Sequence, residues 1–135
     1  MKSSLITLFA GLCLLSGCPS EVPDDGPLTA TSDGGTWTAE VTDTETGTGW
    51  VEIPFTLSDA SGSPALGLSL VSDVWMPAHG HGSSEPVDTA ESETDDGLYI
   101  VSAFFTMPGE WEVLVDIDPN GADETLSFLV EAFTE

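Results

Sequence analysis

From residue 36 onward the chain alternates apolar and polar side chains with a period of two, and no segment sustains a helical period. This pattern builds half-buried strands, because successive strand residues point to opposite faces. Trp37, Ala39 and Val41 alternate with Thr and Glu, and Val51, Ile53, Phe55 and Leu57 with Glu52, Pro54 and Thr56. Leu66, Leu68, Leu70, Val74 and Met76 share one parity, interrupted by Ser72; Tyr99, Val101, Ala103, Phe105 and Met107 share another. Trp111, Val113, Val115 and Ile117, then Leu126, Phe128, Val130 and Ala132, complete the set. Turn-forming clusters fall between the runs, at Thr46-Gly47-Thr48-Gly49, Ser61-Gly62-Ser63-Pro64, Pro108-Gly109 and Asn120-Gly121. The expectation is an all-β, immunoglobulin-like two-sheet β-sandwich of six to seven strands, with main strands at 36–42, 49–58, 66–76, 98–107, 110–118 and 122–133.

The segment 77–97 is too long for a simple hairpin and opens with Pro77-Ala78-His79-Gly80-His81-Gly82. Its second half, Asp88 to Asp96, is acidic and Thr-rich, and is expected to be mobile, the first half ordered. A segment of that length suits a chain returning to the opposite end of a sandwich. Strand 66–76 would then pair with 110–118, and 49–58 with 98–107. Pro108-Gly109 agrees, since Pro then Gly favours a type II turn that splays strands.

The first residues read as targeting sequence. Lys2 gives a positive start and Leu5–Leu15 an apolar run too short to span a bilayer. Leu15-Ser16-Gly17-Cys18 resembles the bacterial lipobox, which implies cleavage before Cys18 and lipidation of its thiol. The expected organisation is a signal peptide over 1–17, a flexible Pro- and Asp-rich tether over 18–35, and one domain over 36–135. The expected location is the cell envelope, lipid-anchored and facing the periplasm or the outside, as a monomer. Cys13 leaves with the signal and Cys18 is capped, so no disulfide braces the domain.

Lys2 is the sole Lys or Arg against 24 acidic residues. With no cations to neutralise phosphate, nucleic-acid binding is excluded, as is a polybasic membrane contact. An enzyme is not expected: no Gly-x-Ser-x-Gly turn is present, and the two histidines are the only bases suited to neutral pH.

These histidines, His79 and His81, follow Met76 closely, and Met107 stands just before Pro108-Gly109. In the immunoglobulin-like order, Met76 and Met107 share one rim of the sandwich with His79 and His81 above them. Thioether with imidazole suits copper, Cu(I) above all; imidazole also suits zinc. Each methionine, being on core-facing parity, reads equally as core filler, and His-Gly-His as a solvated loop. The oxygen-rich stretch Asp118–Glu124 reads first as a hairpin turn rather than a calcium loop. Trp37 and Trp111 have core parity, while Trp50 and Trp75 point outward as a weak patch.

The blocks Met76-Pro77-Ala78-His79-Gly80-His81-Gly82, Gly97-Leu98-Tyr99 and Phe105-Thr106-Met107-Pro108-Gly109-Glu110-Trp111-Glu112-Val113 resemble the YtkA-like domain family over about residues 51–117. They are loosely similar to FixH-like proteins of oxidase assembly. The resemblance implies a small exported or membrane-tethered immunoglobulin-like domain associated with copper handling, metal efflux or respiratory oxidases. Met76, His79, His81 and Met107 are the positions with ligand chemistry. Two functions follow as expectations. One is a lipoprotein that buffers or delivers copper to a transporter or oxidase client. The other is a metal-free interaction or assembly module.

Overall fold

The computed structural model describes residues 28–119, 121 and 123–134. They form ten strands: β1 (Leu28–Thr31), β2 (Trp37–Val41), β3 (Glu45–Gly47), β4 (Gly49–Asp59), β5 (Leu70–Met76), β6 (His81–Gly82), β7 (Asp88–Glu91), β8 (Leu98–Phe105), β9 (Gly109–Ile117) and β10 (Glu124–Phe133). Two five-stranded sheets stack as an immunoglobulin-like sandwich, in the orders β1-β2-β4-β8-β7 and β3-β10-β9-β5-β6. All six expected main strands are present, and β5 pairs with β9 and β4 with β8, as the long 77–97 segment implied. The additional strands are the short β1, β3, β6 and β7.

The alternation of buried and exposed residues supplies the core. Ile53, Phe55 and Leu57 of β4 and Tyr99, Val101 and Phe105 of β8 face Val74 and Met76 of β5 and Trp111, Val113, Val115 and Ile117 of β9, all nearly inaccessible. Burying each such side chain contributes about 1.5–3 kcal/mol, which a domain without a disulfide depends on. The Tyr99 hydroxyl lies 3.0 Å from both Ala65 C=O and Glu91 Oε2, and accepts from Leu68 N–H at 3.3 Å. Burial pushes its pKa above the ordinary tyrosine value, so it stays a donor.

Three expectations need correction. The region expected as tether ends in structure: Leu28–Thr31 pairs along β2 in register Leu28↔Val41 to Thr31↔Thr38. The turn that follows is also fastened. Ser32 is buried and its Oγ donates to Glu124 Oε1 at 2.8 Å, while Asp33 and Thr125 exchange bonds of 2.9 and 3.0 Å. Cys18 and the segment expected to be cleaved lie outside the described residues.

The acidic half of 77–97, expected to be mobile, contains β7, an edge strand pairing with β8 from Asp88↔Ser102 to Glu91↔Tyr99. Thr89 Oγ1 donates to Ser72 Oγ at 2.7 Å, joining the two sheets across the side of the sandwich. Ser72, the polar interruption in the parity of β5, is buried and thus has a hydrogen-bond partner rather than being an orphan.

Strand β5 begins at Leu70 rather than 66. Leu66 is 59% exposed despite its core parity, because the preceding chain turns back against β4 through Ala65 N–H to Leu57 C=O and the Ser58↔Pro64 bridge.

Candidate metal centre

Met76 ends β5 and is 1% exposed, pointing into the core end of the sandwich. Its backbone carbonyl accepts two bonds, from Gly80 N–H at 2.8 Å and His79 N–H at 3.2 Å. These bend the chain through one tight turn, with Gly80 at φ 68°, a conformation glycine adopts without steric cost. The chain returns as β6, in register His81 opposite Met76 and Gly82 opposite Trp75. Thus the Gly between the histidines reverses the chain and brings His81 back beside Met76, while His79 stays exposed at the apex.

The second methionine lies in the connection between the two sheets. Between β8 and β9 the chain crosses from sheet to sheet through Thr106, Met107 and Pro108. Met107 is half-buried against the core. Gly109, at φ 131°, lets the backbone pass directly over Met76: a β-carbon added there would lie 2.5 Å from Met76 Cε. The thioether side chain of Met76 therefore lies beneath the turn that carries Met107, at one pole of the sandwich.

Trp111 holds this pole together. Its indole Nε1–H donates to Met107 C=O at 3.1 Å, and its ring stacks on Phe105 with centroids 4.7 Å apart. His81 meets the same indole edge-on at 5.7 Å, and His79 lies 5.9 Å from His81 between ring centroids. The core parity of Trp111 was legible in the sequence; its bond to the Met107 turn was not.

The structure therefore places all four sequence-identified residues around one end of the fold. Among the described residues no three His, Cys, Asp or Glu side chains group to hold a metal ion. A metal at this pole would need thioether sulfur to complete its ligands, since only two imidazoles are present and no carboxylate joins them. Two thioethers and two imidazoles match the soft donors that Cu(I) prefers. His81 Nδ1 lies 3.1 Å from Gly82 C=O. In the tautomer that donates there, Nε2 is left with its lone pair, as when a backbone carbonyl orients a ligating histidine.

The other candidates resolve differently. Between β9 and β10 Gly121 N–H donates to Asp118 C=O at 2.9 Å, with Asp118 at φ 53°, as a turn closing the two strands requires. Trp50 and Trp75 are 62% and 43% exposed, on the outer faces of opposite sheets, so they form no shared platform.

Among solved structures the chain is similar to one described as "ZirS C-terminal Domain", at 11% identity and a TM-score of 0.46, covering 98% of this chain and 86% of that one. No curated protein matches it. The YtkA-like family matches residues 29–116, from β1 nearly to the end of β9 and across the whole Met76–Trp111 pole, and the chain belongs to that family.

Proposed function

We propose that this protein is a lipid-anchored envelope protein that binds a soft metal ion, copper in its cuprous state, at the Met76, His79, His81 and Met107 pole, and buffers or delivers it. The observation that carries the reading is that Met107, in the connection between β8 and β9, lies at the same pole as Met76 at the end of β5. Met76 Cε lies under Gly109 while His81 stands opposite Met76 in the β5–β6 register. Hydrophobic packing alone accounts for two methionines in a core. It gives no reason for a tight turn that carries His79 at its apex and returns His81 beside Met76. Zinc is the alternative ion, through the imidazoles. Cys18 would carry the lipid, holding the domain at the membrane surface without a polybasic contact, since the described residues contain no Lys or Arg.

Titration of the purified protein with Cu(I), Cu(II) and Zn(II) tests the reading. Binding of about one Cu(I) per chain, tighter than Zn(II), is expected from the donor set. It should be weakened by Met76→Leu and by His81→Ala. Equal affinity in both variants and the parent would show that any copper bound sits elsewhere.

A further inference from the structure

The outer face of the β3-β10-β9-β5-β6 sheet carries a pattern that neither the core nor the Met/His pole requires. Along β5 and β9, three successive cross-strand rows each set one apolar side chain against one carboxylate: Val71↔Asp116, Asp73↔Leu114 and Trp75↔Glu112. Val71 is 55% and Trp75 43% exposed, large areas to leave to water. The rows enclose a shallow groove of about 300 Å³ whose lining includes Val71, Asp73, Leu114 and Asp116. Asp116 gives one oxygen to Thr125 Oγ1–H at 2.8 Å and has the other free of that bond.

Opposed carboxylates and apolar groups do not stabilise each other across strands; charged rows ordinarily pair with Lys or Arg. The described residues contain neither, so none of them supplies a cation to these rows. We propose that this sheet face docks a basic protein partner. A Lys or Arg side chain of the partner lies in the groove, its stem on Val71 and Leu114 and its head between Asp73 and Asp116. A second cation or an apolar residue of the partner covers Trp75 beside Glu112. A long cationic side chain suits this lining, being apolar along its stem and charged at its tip. An exposed indole next to a carboxylate adds cation–π attraction. The other sheet's outer face is a poorer match. Its hollow of about 420 Å³ is lined by Trp50, Val51, Glu52 and Ser102, with one carboxylate, and Trp50 already packs edge-on against Phe104 at 5.5 Å.

This inference extends the interaction-module reading and holds whether or not the pole takes a metal. The experiment uses the metal-free full chain, so failure of the metal reading leaves it intact. The probe is a ten-residue peptide of alternating leucine and arginine, compared with its citrulline counterpart and with spermidine, followed through backbone amide and indole NMR shifts. The expected result is that shifts from the arginine peptide concentrate at 71–75 and 112–116, and that the citrulline peptide leaves them unmoved. Asp73→Asn with Asp116→Asn should weaken the arginine peptide about tenfold, as removing charges across a complementary interface does. Trp75→Ala, at an exposed position, should weaken it severalfold without altering the fold. Shifts of equal size around Trp50 and Glu52, or an affinity unchanged in both variants, would overturn the proposal. Spermidine binding as tightly as the arginine peptide would also overturn it, by showing a small-cation site.

Discussion

Met76 and Gly109 are fitted to each other: the methyl end of one side chain occupies the space where a side chain on the other would begin, 2.5 Å from an added β-carbon. One residue ends β5, the other starts β9, and their contact brings the Met107 turn down onto the core. Several consequences follow from this close approach and from the polar clips around the sandwich.

Gly109→Ala should destabilise the fold chiefly through a φ of 131° that an L side chain rarely adopts, with a smaller share from displacing the flexible end of Met76. Backbone strain of this kind costs about 1–3 kcal/mol. Urea denaturation checks the sum, and the cost of Gly109→Ala measured in a Met76→Ala background should lose the steric share but keep the backbone share. A Gly109→Ala protein as stable as the parent would mean that the turn moves freely away from Met76.

Truncation and replacement at Met76 should separate packing from ligation. Met76→Ala opens a cavity at a fully buried position and should cost about 2–5 kcal/mol. Met76→Leu conserves volume and should cost less than about 1.5 kcal/mol, so it isolates the loss of sulfur. Thermal melts of the metal-free proteins read the first effect. The melting shift on adding Cu(I) reads the second, since a ligand that binds the native state raises its stability.

The bond from Thr89 Oγ1 to Ser72 Oγ joins the sheets through the edge strand β7. Ser72→Ala or Thr89→Val alone should cost about 1–3 kcal/mol, because each leaves one hydroxyl or its space unmatched. The double variant should cost less than the sum of the two. Additive losses in a double-mutant cycle would show that the hydroxyls act independently.

Glu124 is held below its ordinary pKa, first by the Thr36 side chain and then by the Ser32 hydroxyl and the Thr36 and Gly34 backbone. Because the folded pKa lies below the unfolded one, the ionised carboxylate stabilises the fold above the ordinary glutamate range. That contribution is lost as pH falls through the folded value. Glu124→Gln should therefore lower stability at neutral pH and converge with the parent in acid. Curves that stay equally far apart in acid would assign the loss to packing rather than charge.

The fold was legible because alternation sets register: once Ile53, Phe55 and Leu57 face inward, their neighbours in β8 and β9 have one arrangement that buries both sheets. The pairing of β5 with β9 followed from the length of 77–97, and with it the shared pole of Met76 and Met107. Edge strands were less legible. Asp88-Thr89-Ala90-Glu91 and Leu28-Thr29-Ala30-Thr31 bury little, so their pairing comes from partners already in place and leaves a weak periodic trace. Leu66 shows the reverse failure: parity placed it inward, but Gly67 at φ 67° and the bonds of Ala65 to β4 turn it out before β5 begins. Of the pole, the four residue types were readable from sequence. The return of His81 through Gly80, and the hold of Trp111 on the Met107 carbonyl, depend on backbone geometry that no spacing encodes.

X-ray absorption of the Cu(I)-loaded protein tests the central claim most directly, because sulfur and nitrogen neighbours of copper scatter differently. The account predicts mixed sulfur and nitrogen coordination, with the sulfur contribution reduced by Met76→Leu and again by Met107→Leu. Copper surrounded by nitrogen and oxygen alone, unchanged in both variants, would contradict it.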